Sequence, residues 1–158
     1  KSEIVKHSIE SVRQVIKTAE DYDVTYCVEV VNRFEGIVMN TAKEAIEYVK
    51  QIDSDKIGIL LDTYHMNIEE GSIGDAIRSV GGYLKNFHTG ENNRVVPGKG
   101  HLDWMRYLER SMISIIREES CQSRSFRWAG RSEETSRYGE IWWKTLQKNC
   151  WMRRRASF

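Results

Sequence analysis

The sequence predicts an α/β fold built on parallel strands, and three observations carry that prediction. Short β-branched runs alternate with stretches of helical apolar spacing, each run ends near a residue able to bind a cation, and no GxGxxG or GxxxxGK[ST] phosphate loop is present. Such alternation requires crossover connections between parallel strands. It fits a doubly wound sheet and a barrel equally well.

The elements follow in order. Ile4, Val5, Ile9, Val12, Val15 and Ile16 recur at helical spacing with charges between them. Val24 to Val31 is a short β-branched run of the kind a buried parallel strand needs. Thr41 reads as an N-cap with Glu44 completing a capping box, opening a helix through about Gln51. Ile57 to Leu61 is a second buried strand ending at Asp62, and a helix from Ser72 to Val80 is stopped by Gly81 and Gly82. Tyr83 to His88 is the third strand, and a loop rich in Gly and charge runs on to Gly100.

Composition bounds the function. The net charge of +1, with 40% hydrophobic and 30% charged residues, argues against a nucleic-acid or membrane surface built on bulk positive charge. No apolar run reaches the roughly 20 residues that span a bilayer. The charged amphipathic stretch behind Lys1 does not read as a secretory leader, so a cytoplasmic fragment of a longer protein is expected. Cys27 sits in an apolar run, where a free thiol acts as a small hydrophobe. Cys121 and Cys150 show no ligand spacing.

A boundary falls near Trp104. All five Trp lie at or after it, no Asp follows Asp103, and ten Arg follow Trp104 where four precede it. Residues 1–104 and 105–158 are therefore expected to be different kinds of segment. After the boundary no strand is expected, although Leu108, Met112, Ile115 and Ile116 keep a rough helical period over Met105–Arg117.

The chemistry rests on Glu29, Asp62 and His88, one near the carboxyl end of each strand. Taken singly, an acid in such a place is more often a helix cap or loop ion pair. Three on successive strands are different, because burying unpaired carboxylates costs several kcal/mol unless a cation compensates. Two carboxylates with one imidazole suit Mn²⁺, Mg²⁺ or Co²⁺.

Glu29-Val-Val-Asn-Arg-Phe-Glu35, Leu61-Asp-Thr-Tyr-His-Met-Asn-Ile-Glu-Glu70, Phe87-His-Thr-Gly-Glu-Asn-Asn-Arg94 and Val96-Pro-Gly-Lys-Gly100 resemble, in order and spacing, the signature segments of the D-psicose/D-tagatose 3-epimerase family. The resemblance covers roughly Ile9 to Trp104. It implies a partial (β/α)₈ TIM barrel of the xylose isomerase-like type: about three βα units, resembling the fifth to seventh strands, plus an irregular tail. It further implies that Glu29, Asp62 and His88 are three of four metal ligands, with Glu29 also one of two catalytic carboxylates. Glu35, His65 and Arg94 match residues that bind sugar hydroxyls. Tyr64 stands where many relatives show Phe, and Asn92 where some show Cys. Mn²⁺ is the implied ion, a free ketose the implied substrate, and a homo-oligomer the implied parent assembly. Epimerisation at C3 removes a proton α to a carbonyl and returns it from the opposite face, which needs a carboxylate on each side. Rival readings are a hydroxypyruvate isomerase, inosose dehydratase or zinc endonuclease on a related barrel, and a non-catalytic interaction module.

The second carboxylate is missing from the sequence after Trp104. A reading-frame shift accounts for that. Codons built from the third base of one residue and the first two of the next turn Trp104-Met105-Arg106-Tyr107 into Asp-Glu-Ile. The same shift lets Glu119 to Phe126 encode Val-Val-Pro-Glu-Pro-Phe, a strand ending in Glu. On this reading Arg153 to Arg155 and the Trp142-Trp143 pair are accidents of frame, and the chain as it stands has no useful epimerase activity.

Overall fold

The computed structural model describes residues 1–95, 97–107 and 125–128. Helix α1 spans Ser2–Asp21, strand β1 Tyr26–Glu29 and helix α2 Ala42–Ile52. Strand β2 covers Ile57–Asp62 and runs directly into helix α3, Thr63–Glu69, with α4 following at Ile73–Val80. A 3₁₀ turn at Gly81–Tyr83 leads to strand β3, Leu84–Thr89; α5 is the short helix Trp104–Tyr107 and β4 the strand Ser125–Trp128.

The strands form one parallel sheet in the order β1-β2-β3-β4. Sequential parallel strands joined by helices are the repeating unit of an α/β barrel. All six residues of β2 are buried, as a central strand covered on both faces requires. Ile59 and Leu61 lie in its core, and cutting such a side chain to Ala costs about 2–5 kcal/mol. Gly58 is dictated by close approach, since a Cβ there would collide with the Lys85 side chain from the neighbouring strand.

The helices bury one stripe each. α1 contributes Ile9, Val12, Ile16 and Ala19, while Ile4 and Val15 stay exposed, so the apolar stripe is narrower than the sequence suggests. The capping box at α2 forms: Thr41 Oγ1 accepts the Glu44 amide at 3.3 Å, and Glu44 reaches back to accept the Asn40 amide at 2.7 Å. Cys27 is half-buried and its thiol is pushed up by burial.

One element was not foreseen and one expectation needs correction. The sequence shows no apolar periodicity over Thr63–Glu69, yet these residues form α3, started by Asp62 as N-cap. A local cap outweighs weak patterning there. Nor was any strand expected after Trp104, but Ser125–Trp128 pairs parallel with β3, Asn86 opposite Ser125 through Thr89 opposite Trp128. The open edge of β3 offers a row of unpaired N–H and C=O groups that an extended segment can satisfy. The helix expected over Met105–Arg117 begins as α5, and its remainder lies outside the described residues, as do Cys121, Cys150, the Trp142-Trp143 pair and Arg153 to Arg155. Among the described residues no helix is long and apolar enough to cross a membrane.

Candidate metal centre

The register of the sheet brings the three strand-end residues together. Asp62 and His88 are direct partners across β2 and β3, while Glu29 pairs with Leu60 across β1 and β2. One ligand atom from each of Glu29, Asp62 and His88 lies within 4.8 Å of the others. His88 Nδ1 stands 3.8 Å from Glu29 Oε1 and 3.9 Å from Asp62 Oδ2.

Asp62 has two roles, one per oxygen. Its Oδ1 accepts the Tyr64 amide at 2.9 Å and caps α3. Its Oδ2 faces His88 and the Arg94 guanidinium, whose Nη1 is 3.4 Å away. The residue is only 1% exposed, so the second oxygen has little access to water. A buried carboxylate oxygen, a second carboxylate and an imidazole form a donor set that fits a hard or borderline divalent ion.

Glu35, His65 and Arg94 form the adjoining group. Arg94 Nη2 is 3.4 Å from both Glu35 Oε1 and His65 Nε2, and its other nitrogen touches Asp62. Its guanidinium lies over the Tyr64 ring, 3.7 Å from the centroid, in a cation–π contact. All six residues singled out in the sequence therefore belong to one connected cluster. The cluster holds three carboxylates and one guanidinium, which meets Asp62 and Glu35 but not Glu29, and this leaves a surplus of negative charge that a divalent cation would neutralise.

Asn32 was not foreseen. It is 1% exposed, and its amide Nδ2 lies 2.9 Å from Glu35 Oε1 and 2.8 Å from His65 Nδ1. The Asn32 backbone N–H also donates to His65 Nδ1 at 3.2 Å, so the neutral ring carries its proton on Nε2, the nitrogen beside Arg94. The Asn32 side-chain amide holds the Glu35 carboxyl below its ordinary value; burial pushes the other way, and His65 and Arg94 add to the lowering. The available signal was Asn32-Arg33-Phe34-Glu35, an Asx turn: Asn32 Oδ1 accepts the Phe34 amide at 2.9 Å.

Neighbouring loops are pinned to one another. Glu69 takes the Arg33 amide at 2.7 Å and its guanidinium at 2.9 and 2.8 Å, fixing the loop after β1 against α3. The buried Thr63 hydroxyl donates to the Gly90 carbonyl at 2.6 Å and accepts the Gly90 amide at 2.9 Å, joining the ends of β2 and β3.

Carboxylates and imidazoles gathered at the carboxyl ends of parallel strands define the class, a segment of an α/β barrel with its functional face at those ends. The chain belongs to the xylose isomerase-like TIM barrel family, whose model matches residues 1–110. It is 54% identical over 104 residues to the D-psicose 3-epimerase of Ruminiclostridium cellulolyticum, covering 66% of this chain and 36% of that protein. It is 33% identical over 144 residues to the L-ribulose 3-epimerase of Mesorhizobium japonicum, covering 91% of this chain and 46% of the relative. Among solved structures, a D-psicose 3-epimerase with D-tagatose from Clostridium cellulolyticum H10 superposes with a TM-score of 0.71 at 44% identity, over 79% of this chain and 42% of that one. The chain thus spans between a third and a half of the length of these relatives.

Proposed function

We propose that this chain carries the metal-holding part of a ketose 3-epimerase, with Glu29, Asp62 and His88 as ligands to Mn²⁺ or a similar ion. The observation that carries the reading is the connected cluster of all six candidates at one end of a parallel sheet, in a chain 54% identical to a D-psicose 3-epimerase. When bound, the ion supplies Lewis-acid stabilisation of negative charge developing on the substrate oxygens. Glu29, with its carboxylate half-exposed, takes the proton from C3 of the ketose. Asp62 and His88 hold the ion, while Glu35, the Nε2–H of His65 and Arg94 orient the sugar hydroxyls.

Returning the proton to the opposite face needs a second carboxylate. The β4 sequence Ser-Phe-Arg-Trp supplies none. The chain alone should therefore remove the C3 proton far better than it inverts the centre. The test is deuterium incorporation at C3 of D-fructose or D-psicose in D₂O, followed by NMR. The expected result is slow, Mn²⁺-dependent exchange that is lost in Glu29→Gln, with epimerisation far below exchange. Exchange at the Glu29→Gln level, or epimerisation at the rate of a complete enzyme, overturns the proposal.

A further inference from the structure

Glu91 is a fully buried carboxylate that the reaction does not use. It is 0% exposed, and its two oxygens collect four uncharged N–H donors from its own loop. Oε1 accepts the Gly98 amide at 2.6 Å and the Trp104 indole N–H; Oε2 accepts the Leu102 amide at 3.3 Å and the Asn92 amide at 3.4 Å. Asn92 Oδ1 beside it accepts the His101 amide at 2.9 Å. Residues 98–104 are thus drawn against residues 91–92. A Cβ at Gly100 would run into Glu91 Oε2 and Asn92 Oδ1, so Gly is the residue that allows this approach.

The same residue shapes the turn that follows it. The Glu91 carbonyl accepts the Arg94 amide at 3.0 Å, and the Glu91 amide donates to the Val95 carbonyl at 3.4 Å. Arg94 is held there with φ of 61°, a left-handed conformation that a β-carbon disfavours and that surrounding contacts must enforce. From that turn its guanidinium reaches Tyr64, Asp62, Glu35 and His65.

We infer that Glu91 is the positioning residue for Arg94, fixing the Gly90–Trp104 loop so that the guanidinium lies over Tyr64 and faces the sugar. The part concerning the sugar rests on the function proposed above; the part concerning Arg94 does not. A carboxylate is required because four donors converge on it. In Glu91→Gln one oxygen becomes an NH₂ group that confronts N–H donors, so the loop must open to relieve them.

The experiment uses the full chain with ¹⁵N-arginine and ¹⁵N-tryptophan, Arg94→Lys and Trp104→Phe serving for assignment. Stacked on Tyr64, the Arg94 Nε–H signal should be displaced by the ring current. Glu91→Gln should return it to the solvent-exposed position and raise the apparent Kd for D-psicose about tenfold or more, with the Kd for Mn²⁺ within about twofold. Trp104→Phe, which removes one donor and keeps a smaller aromatic ring, should move the signal part of the way and serves if Glu91→Gln fails to fold. Thr41→Ala, which loosens α2 away from the loop, should leave it in place. An unmoved Arg94 signal in Glu91→Gln, or in Trp104→Phe where that variant stands in, overturns the inference. So does an equal movement in Thr41→Ala. A wild-type chain with a displaced Arg94 signal but no response to D-psicose would defeat the sugar reading while leaving Glu91 as the residue that positions Arg94.

Discussion

Asp62→Asn separates the two roles of Asp62. The amide keeps an oxygen in place of Oδ1, and Asn caps helices about as well as Asp, so the 2.9 Å bond from the Tyr64 amide survives. The other oxygen becomes an NH₂ group facing Arg94 Nη1 at 3.4 Å and His88 Nδ1 at 3.9 Å. Without metal, the lost attraction to a partly exposed Arg94 is worth about 0–1 kcal/mol, and removing a buried charge offsets it in part. Stability of the metal-free chain should therefore change by less than about 1 kcal/mol. With metal, a charged ligand is lost, at about 1.5–3 kcal/mol for a charge-assisted contact. At 1.4 kcal/mol per factor of ten, the Kd should rise about 10- to 140-fold. Titration of Mn²⁺ followed by the EPR signal of the free ion, beside urea denaturation of the metal-free protein, reads both quantities. Unchanged Mn²⁺ affinity would refute the reasoning, since Asp62 would then be a cap and nothing more. A loss of several kcal/mol without metal would refute the argument that the cap is kept.

Other predictions concern the surrounding framework. Thr41→Ala removes the acceptor at the start of α2 and should cost about 1 kcal/mol in urea denaturation. Tyr64→Leu keeps an apolar contact but removes the ring beneath Arg94; a loss of about 0.5–1 kcal/mol in D-psicose binding by calorimetry is expected, with Mn²⁺ affinity unchanged. Burial pushes the Glu91 carboxyl up, but hydrogen bonds from Trp104, Gly98, Leu102 and Asn92 more than reverse this and hold it below its ordinary value. Its stabilisation is therefore complete above the ordinary carboxylate range and disappears as pH falls through the lowered folded value. The Trp104 indole resonance should shift in that acid window in the wild type and not in Glu91→Gln. Finally, nucleotide sequencing across the Trp104 codon should reveal a reading-frame shift. A chain restored to frame should gain a carboxylate after β3 and with it tighter Mn²⁺ binding.

Much of this architecture was legible because parallel strands buried on both faces leave long apolar runs. Ile57–Leu61 could hardly be anything else, and its termination at Asp62 marked the functional end. The cap at Thr41 and the stop at Gly81 follow from local chemistry and appear where expected. α3 was missed because Thr63–Glu69 has no repeating apolar stripe, and what starts it is Asp62, whose general likelihood as a cap was set aside in favour of its reading as a ligand. Strand β4 was missed because pairing with β3 supplies what its own sequence does not advertise. In the site, the charged and imidazole groups could be named from their motifs. Asn32 and Glu91 could not, since the importance of Asn32 lies in meeting the His65 ring from another strand end, and that of Glu91 in the amides its own loop folds back onto it.

The hydroxyl of Thr63, shared between both backbone groups of Gly90, makes the mouths of two adjacent strands a single mechanical part. A Val at that position would fill the same space and sever both connections at once, whereas Ser could retain them. Anyone grafting specificity from another barrel would do well to transplant the segments after β2 and β3 as one cassette. Moved alone, either would arrive with its counterpart left behind.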